Sequence, residues 1–370
     1  MKRWSLLLYC CTLIYIISSF FSCHPQKQLV TTPPKAYLKI DEKKKFKPIS
    51  DEKIIQLMKE HQIEAASISY VLGNRKYEHK AYQLSEMEGL KVDSNSLFQA
   101  ADISKTIAVL SLLPLVEDQQ FTLEKDMRPF AEKLGIKNNF PDNYMALRNV
   151  IKHRGGFNLE RIGPYTQRET LPLLDQMIKG EKPAKNNPLE VSYAPFQTHP
   201  YSDGGYLIVQ KQIENTMKLS FRDYCDQYIF NTIGMRSSSF VYPKHEDKVI
   251  KGNLANGNPP KNGYYLYPAA AANGLWCSSA DLAKLLHFFL LDSYGNSKLI
   301  SGGTALKMIG DQLGINYNLQ HNSISYYGMN EAYTSHFSGS LVNKRGMAIM
   351  CNSGNGGQFI DAIYQIINEE

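Results

Sequence analysis

Cysteine and tryptophan are scarce in this chain. Its 370 residues include six cysteines and two tryptophans. Beyond residue 22 the cysteines are widely separated, at Cys23, Cys225, Cys277 and Cys351. This spacing excludes a disulfide framework and a metal-ligand pattern, and we expect no metal or other cofactor. The last three cysteines lie in apolar surroundings, which predicts small buried side chains.

Long blocks of one charge are also missing. Lys and Arg total 41 against 35 Asp and Glu, a net charge of +6. The nearest basic run, Lys43-Lys44-Lys45 followed by Lys47, lies in a stretch rich in Pro and Lys. Such a run is typical of a solvated tether, and it gives no case for a nucleic-acid partner.

The N-terminus has the pattern of an export signal. A basic Met1-Lys2-Arg3 precedes an apolar run over 5–21 that is marginal in length for a membrane span. The run ends at Ser22-Cys23, which resembles a lipobox, although Phe20 replaces the usual leucine. We therefore predict a signal peptide over 1–22, lipidation of Cys23, a tether over 23–49, and a position in the cell envelope on the non-cytoplasmic, periplasmic side of a membrane. An uncleaved anchor or a plain secretory signal remains an alternative.

Strand-like patterns occur near both ends of the remaining domain, 50–370, and helical patterns lie between them. We expect an α/β lobe formed by about 50–127 and 277–370, with an inserted, mainly helical lobe at about 128–276. The predicted elements are a helix over 51–61, a hairpin over 65–83, a helix from Asp102 that Pro114 should kink or end, helical segments near 143–152, 170–179 and 205–229, a helix capped by Ser278, a strand pair near 336–353, and a helix over about 358–368.

Several segments, in order, resemble one enzyme family. They are LFQAADISKTIAVL (97–110), LRNVIKHRGGF (147–157), HPYSDGGYLIVQ (199–210), GLWCSSADLAKLL (274–286) and YYGMNEAYTSHFSG (326–339). They are similar to motifs of the class C β-lactamase, D-Ala-D-Ala peptidase and esterase group, from about Asp51 to the C-terminus. The resemblance implies a β-lactamase/transpeptidase-like α/β (α+β) fold, in which helices flank an antiparallel sheet.

The family's chemistry is acyl transfer from a serine in a Ser-x-x-Lys motif, with two backbone N–H groups as an oxyanion hole. Matched to this pattern, Lys105 is the lysine and Asp102 stands in the position of the serine. Ser104 cannot replace it, because the residue three positions later is Ile107. Tyr201 matches the family's tyrosine. Asp203 stands where the family often has Asn or Gly, and it is a predicted substrate-binding residue, with a turn before Gly204-Gly205 as the alternative.

The last motif, a Lys or His on the closing strand, matches less well. Counting back from Gly346 places Tyr326, Tyr327 and Gly328 under it, as predicted substrate-binding residues. His336 is an alternative for the same position, but it leaves too short a strand before Gly346. Asn330 could contact a ligand or merely form a turn.

The physical chemistry of Asp102 argues against covalent catalysis. A carboxylate at a helix N-terminus accepts backbone N–H bonds, and a lysine one turn later favours its ionised form. Such a group is a poor acyl-transfer nucleophile, because attack on an amide would give a less stable mixed anhydride. We therefore expect Asp102 to cap the helix and to pair with Lys105.

Three hypotheses for function follow. The first is a lipid-anchored, catalytically degenerate member of the family that binds a peptide, a muropeptide or another peptidoglycan-derived ligand in the former active-site cleft. The second is an active hydrolase in which Asp102 activates a water, assisted by Lys105 and Tyr201. The third is a structural or partner-binding protein of the cell envelope.

Overall fold

The structure is a computed structural model. It describes residues 46–73, 76–87, 90–196, 201–243, 246–292 and 297–369, so the predicted signal peptide, Cys23 and most of the tether lie outside the described residues. The strands are β1 (Ala65–Val71), β2 (Tyr77–Gln83), β3 (Phe98–Ala101), β4 (Lys137–Asn138), β5 (Glu190–Val191), β6 (Leu275–Cys277), β7 (Asn316–Asn318), β8 (Ser323–Met329), β9 (Thr334–Ser340) and β10 (Arg345–Cys351).

Helices occupy much of the rest. They are α1 (Asp51–Glu60), α2 (Ile103–Glu117), α3 (Arg128–Lys133), α4 (Leu147–Ile151), α5 (Leu174–Lys179), α6 (Gly204–Met217), α7 (Phe221–Tyr224), α8 (Asn231–Ile233), α9 (Ala270–Asn273), α10 (Ser279–Leu290), α11 (Gly302–Gly310) and α12 (Gly357–Glu369). Within the described ranges, none of these helices is long and apolar enough to cross a membrane.

The main sheet is antiparallel and has the strand order β2-β1-β10-β9-β8-β7. Alternate residues face opposite sides, as the two-residue period of a strand requires. Ile68 and Ile349, which are paired across β1 and β10, pack with the apolar side chains of α1 and α12. On the other face Ser67 and Ser69 both hydrogen-bond Ser279 of α10, at 2.7 Å each. The predicted sheet formed by segments from both ends of the chain is confirmed.

The domain begins earlier than the predicted tether boundary at residue 49. Phe46 and Ile49 are buried and belong to the same apolar cluster as α1 and α12. The Ile49 carbonyl also accepts a hydrogen bond from the Lys80 ammonium at 3.0 Å. Residues 46–49 are therefore part of the folded domain, because two large apolar side chains in this short segment reach the core.

Two predicted helices differ in the structure. Helix α2 continues through Pro114 to Glu117, because the proline lies in its last turn and α2 is held by burial on all sides. The single helix predicted over 205–229 is divided after Met217. Lys218 has a left-handed φ of 57° and ends α6, and the Ser220 hydroxyl then accepts from the Asp223 N–H and begins α7.

Two smaller predictions hold. The Ser278 hydroxyl accepts a hydrogen bond from the Asp281 N–H at 3.2 Å and caps α10. Cys225, Cys277 and Cys351 are buried and free, as their apolar sequence contexts indicate.

Candidate functional site

The site forms where β3 ends and α2 begins. Ala101, the last residue of β3, has a left-handed φ of 45°, and this turn brings Asp102 to the start of the buried helix. Strand β8 passes directly alongside. A side chain at Gly328 would lie 2.0 Å from the Ala100 carbonyl oxygen and 2.9 Å from the Asp102 nitrogen. Only a glycine allows β8 to approach this turn so closely.

Asp102 does not cap α2, and this part of the prediction is wrong. It lies at the N-cap position with helical backbone angles (φ −61°, ψ −15°), and its carboxylate accepts no N–H from α2. A capping side chain needs an extended backbone to turn back onto the helix. Instead the carboxylate accepts hydrogen bonds from Lys105 at 2.9 Å, from the Tyr201 hydroxyl at 2.5 Å and from the Met329 N–H at 3.2 Å.

Lys105 is completely buried between two carboxylates. Its ammonium lies 2.9 Å from Asp102 and 2.8 Å from Asp203, and it donates to the Ala272 carbonyl at 2.7 Å. The i to i+3 spacing places Asp102 and Lys105 on one face of the helix start, as the sequence predicts. The ammonium also lies 4.8 Å from the centre of the Tyr201 ring. All donors of the lysine are therefore directed inside the protein.

The two aspartates respond differently to their shared lysine. Burial by itself would raise the pKa of Asp102, but the charges of Lys105 and Arg161 and the hydrogen bonds from Tyr201 and Lys105 hold it below its usual value. Burial raises the pKa of Asp203, and the nearby charge of Asp102 adds to this effect, while Lys105 opposes it. The cluster therefore favours ionisation of Asp102 and disfavours ionisation of Asp203.

Tyr201 reaches Asp102 from the loop that precedes α6. Burial, followed by the charge of Asp102, raises the pKa of this phenol well above its usual value, so the hydroxyl keeps its proton and acts as a donor. The ring stacks on His153, with ring centres 4.1 Å apart. Burial and then the charge of Lys105 lower the pKa of His153 to about 4, which makes this histidine a neutral support.

Asp203 is held from a second direction. One of its carboxylate oxygens accepts from the Ile162 N–H at 3.1 Å and from the Asn273 amide at 3.3 Å. Sequence reasoning missed Asn273, which lies in the run of small residues at α9 and carries no motif of its own.

Arg161 is the second residue that sequence reasoning missed. This exposed side chain donates to the Met329 carbonyl at 3.3 Å, and its charge acts on both Asp102 and Asp203. The only sequence signal is an arginine in an irregular stretch shortly after KHRGGF.

The residues predicted on the closing strand lie on β8. Tyr326 and Tyr327 are partly buried, and the charge of Asp102 contributes to raising the pKa of both phenols after burial. Gly328 makes the close approach to β3 described above. His336, the alternative for this position, lies on β9 and bonds the Tyr364 hydroxyl of α12 at 2.9 Å.

Asn330 forms a turn, which is one of the two roles considered for it. Its amide nitrogen donates to the Gln99 side chain at 2.6 Å, and its oxygen accepts the N–H groups of Ala332 and Tyr333 at 3.0 and 2.9 Å. The side chain is buried, so both of its polar ends are already used in joining β8, β9 and β3.

The arrangement gives a carboxylate surrounded by donors where an acyl-transfer site would need a free nucleophile. The hydroxyl of Ser104 does not supply one, since it donates to the Ala101 carbonyl at 2.6 Å and accepts from the Leu275 N–H at 3.0 Å. In the part of the chain that the structure describes, no group of three or more His, Cys, Asp or Glu residues is placed to hold a metal ion.

Comparison with known proteins gives one family. A family model described as Beta-lactamase matches residues 51–367. The chain is similar to a class C β-lactamase (TM-score 0.65, 15% identity, covering 86% of this chain and 94% of that one). It is also similar to the D-amino acid amidase from Ochrobactrum anthropi SV3 complexed with L-phenylalanine (TM-score 0.68, 14% identity, covering 86% of this chain and 98% of that one). A third similar structure is the β-lactamase/D-alanine carboxypeptidase from Pseudomonas syringae (TM-score 0.66, 16% identity, covering 86% of this chain and 99% of that one). No curated protein sequence matches. These likenesses confirm the predicted fold.

Proposed function

The chain belongs to the β-lactamase family, and from that premise we propose that it is a lipid-anchored member whose cleft has lost serine acyl transfer. Asp102 stands in the position of the nucleophilic serine. The cleft binds a peptide or a peptidoglycan-derived ligand and forms no acyl-enzyme.

One observation carries this proposal: the Met329 N–H donates to the Asp102 carboxylate. In the family, an N–H of the closing strand is one of the two donors that stabilise the developing oxyanion. Here a permanent negative charge already accepts that donor. A second negative oxygen at the same place would be repelled by the carboxylate, and the transition state would lose most of its stabilisation.

The alternative of a water-activating Asp102 is less favoured by the same geometry. A general base works best when its pKa lies near the working pH. The pKa of Asp102 lies below the ordinary aspartate value, and its oxygens already accept bonds from Lys105, Tyr201 and Met329. A carboxylate so stabilised removes a proton from water poorly.

Two features support a peptide-like ligand. Arg161 places a positive charge beside the cluster, which suits the terminal carboxylate of a peptide. Two of the similar structures, the D-amino acid amidase and the D-alanine carboxypeptidase, are named for D-amino acid compounds.

The test is intact-mass measurement of the full-length chain after incubation with a fluorescent penicillin and a fluorophosphonate. We expect no adduct on the native chain. The Asp102→Ser variant restores the family's nucleophile beside Lys105, and we expect it to be labelled. The matched control is Asp102→Ala, which removes the carboxylate and adds no nucleophile. A covalent adduct on the native chain, or ester turnover that Asp102→Ala abolishes, would contradict the proposal.

The lipid anchor is tested separately. Expression with a labelled fatty acid should give a labelled, membrane-bound chain, and Cys23→Ser should remove both the label and the membrane association. Cys225→Ser, which changes a buried thiol, is the matched control. A Cys23→Ser chain that keeps its label would contradict lipidation at Cys23.

A further inference from the structure

A cavity lies beside the cluster of Asp102, Lys105 and Asp203. Its volume is about 190 Å³. Leu171 and Val241 line it and are exposed, so the cavity opens to the surface. The residues that hydrogen-bond Asp102 are not among its lining residues, and Asn273, which donates to Asp203, links the cavity to the cluster.

Four aromatic side chains form part of the cavity wall. Phe240, Tyr242, Tyr267 and Trp276 line it, and Tyr242 meets Trp276 edge to face, with ring centres 5.5 Å apart and the planes at 83°. An apolar cavity of about 150 Å³ is large enough to hold benzene. The space therefore suits one planar apolar group of about that size.

Arg222 adds a positive charge to the wall. Among the described residues its guanidinium has no ion pair or hydrogen-bond partner. The charges of Glu214 and Asp223 act on Arg222, but both carboxylates accept hydrogen bonds from other groups. Glu214 accepts from the Phe221 N–H, and Asp223 accepts from the Ser220 hydroxyl. Burial lowers the pKa of Arg222. A bound anion would offset the cost of holding this guanidinium partly out of water.

Asn273 adds an acceptor to the lining of the cavity. Its side chain is 4% exposed, and its amide oxygen has no hydrogen-bond partner in the described part of the chain. Its amide nitrogen donates to Asp203 at 3.3 Å. A buried carbonyl oxygen without a donor is uncommon in folded proteins, and a ligand N–H or O–H would satisfy it.

We propose that this cavity binds a small aromatic carboxylate. The ring lies between the aromatic walls, the carboxylate pairs with Arg222, and an N–H or O–H group of the ligand donates to Asn273. This site goes beyond the proposed function, since it requires no chemistry at Asp102.

The test uses Trp276 as the reporter. The sequence holds two tryptophans, Trp4 and Trp276, so a full-length Trp4→Phe chain reports from the cavity wall alone. The probe is 4-hydroxyphenylacetate, and its neutral isostere 4-hydroxyphenylacetamide is the matched ligand. We expect a saturable change in Trp276 fluorescence with the acid, and binding of the amide weaker by about tenfold or more, because a charge-assisted hydrogen bond is lost.

Three variants in the Trp4→Phe chain complete the test. Arg222→Gln should weaken binding of the acid about tenfold and remove the preference over the amide. Arg236→Gln changes an exposed arginine that does not line the cavity and should leave binding unchanged. Val241→Phe fills the exposed mouth of the cavity and should block both probes.

Each outcome of these measurements either supports or overturns the proposed site. Saturable binding of the acid that is about tenfold weaker in Arg222→Gln, lost in Val241→Phe and unchanged in Arg236→Gln supports the site. The absence of a saturable signal in the Trp4→Phe chain overturns it, and so does equal binding by Arg222→Gln and Arg236→Gln. Asp102→Asn should bind the acid as tightly as the native chain, because Asp102 does not line the cavity. Binding at this cavity is therefore tested separately from the proposed loss of acyl transfer.

Discussion

Asp102 and Asp203 contact the same ammonium group, yet folding changes their pKa values in opposite directions. The pKa of Asp102 is lowered, so its carboxylate stabilises the folded state above the ordinary aspartate pKa of about 3.9 and loses this effect as the pH falls. The pKa of Asp203 is raised, chiefly by burial. Its folded-state carboxyl holds a proton that the unfolded chain releases, so folding becomes less favourable as the pH rises from about 4 through the raised pKa.

This difference in sign gives the first prediction. Asp203→Asn removes a titrating group whose ionisation opposes folding, and an asparagine can still accept from the Ile162 N–H. The stability of Asp203→Asn relative to the native chain should therefore increase between about pH 4 and about pH 7. Asp102→Asn is the matched control with the opposite sign. Its stability relative to the native chain should rise only as the pH falls below about 4, and it should stay level between about pH 5 and about pH 7. Urea unfolding at several pH values measures the free energy of unfolding of both variants. If their differences from the native chain changed with pH in the same way, the opposite pKa shifts of Asp102 and Asp203 would be contradicted.

The second prediction concerns the lysine. Lys105→Met leaves Asp102 and Asp203 buried together without a cation, and we expect a loss of about 3–5 kcal/mol in the free energy of unfolding. Lys211→Met removes the cation of an ion pair with Asp175, whose side chain is 59% exposed. The released carboxylate stays hydrated there, so the loss should be much smaller. Equal losses in denaturant unfolding would mean that burial of the Lys105 cluster has no energetic effect.

Only part of the site could be predicted from the sequence. The spacing of Asp102 and Lys105 fixes their proximity through one helical turn, so their ion pair is predictable. The direction of the Asp102 carboxylate is not, because it depends on a tight turn at Ala101 and on donors from β8 and from the loop before α6. Arg161 reaches the cluster from an irregular loop, where residue spacing says nothing about the direction of a side chain.

At the scale of elements, the site depends on how closely β8 approaches the β3–α2 turn. Gly328→Ala would place a methyl group 2.0 Å from the Ala100 carbonyl, and backbone atoms on both sides must separate. We expect a loss of stability of about 3 kcal/mol. Because the Met329 N–H would move away from Asp102, we also expect the Asp102→Ser/Gly328→Ala double variant to be labelled less by penicillin than Asp102→Ser alone.

A second glycine provides the control for this change. Gly310 is the last residue of α11, and a methyl group there meets no atom within 4 Å. Gly310→Ala should therefore be neutral or slightly stabilising, by roughly 0.5 kcal/mol, because alanine loses less backbone freedom in a helix. If thermal unfolding gave the same midpoint for Gly328→Ala and Gly310→Ala, the close packing of β8 on β3 would not require a glycine at position 328.

Element positions were predictable where periodicity and caps agree, as at α1 and α10. They were not where two local signals compete. Burial of α2 on all sides outweighs the break expected at Pro114. In the segment 205–229, helical periodicity hides the Ser220 cap that begins a new helix two residues after Lys218. Packing therefore determines the course of α2, and a side-chain hydrogen bond determines where α7 begins.

At the scale of the whole molecule, both ends of the domain close one core. Helix α12 presents Phe359, Ile360, Ile363 and Tyr364 on one stripe to the sheet face that α1 also covers. Since β1 and β10 are paired in one sheet, segments from both ends of the domain contribute to the same core. The inserted helices then bring Tyr201, Asp203 and Asn273 to the start of α2.

The last prediction tests where this domain begins. Phe46 is 8% exposed, its ring centre lies 6.0 Å from that of Tyr70 in β1, and it belongs to the cluster that α1 and α12 form. Phe46→Ala should therefore lower the free energy of unfolding by about 3 kcal/mol, as removal of a buried aromatic side chain does. Leu319→Ala is the matched control, because Leu319 is 77% exposed and should change stability by less than about 0.5 kcal/mol. Denaturant unfolding of the full-length chain measures both. If Phe46→Ala matched Leu319→Ala, the folded domain would begin after residue 49, as the sequence alone suggests; the predicted loss would place its start at or before Phe46.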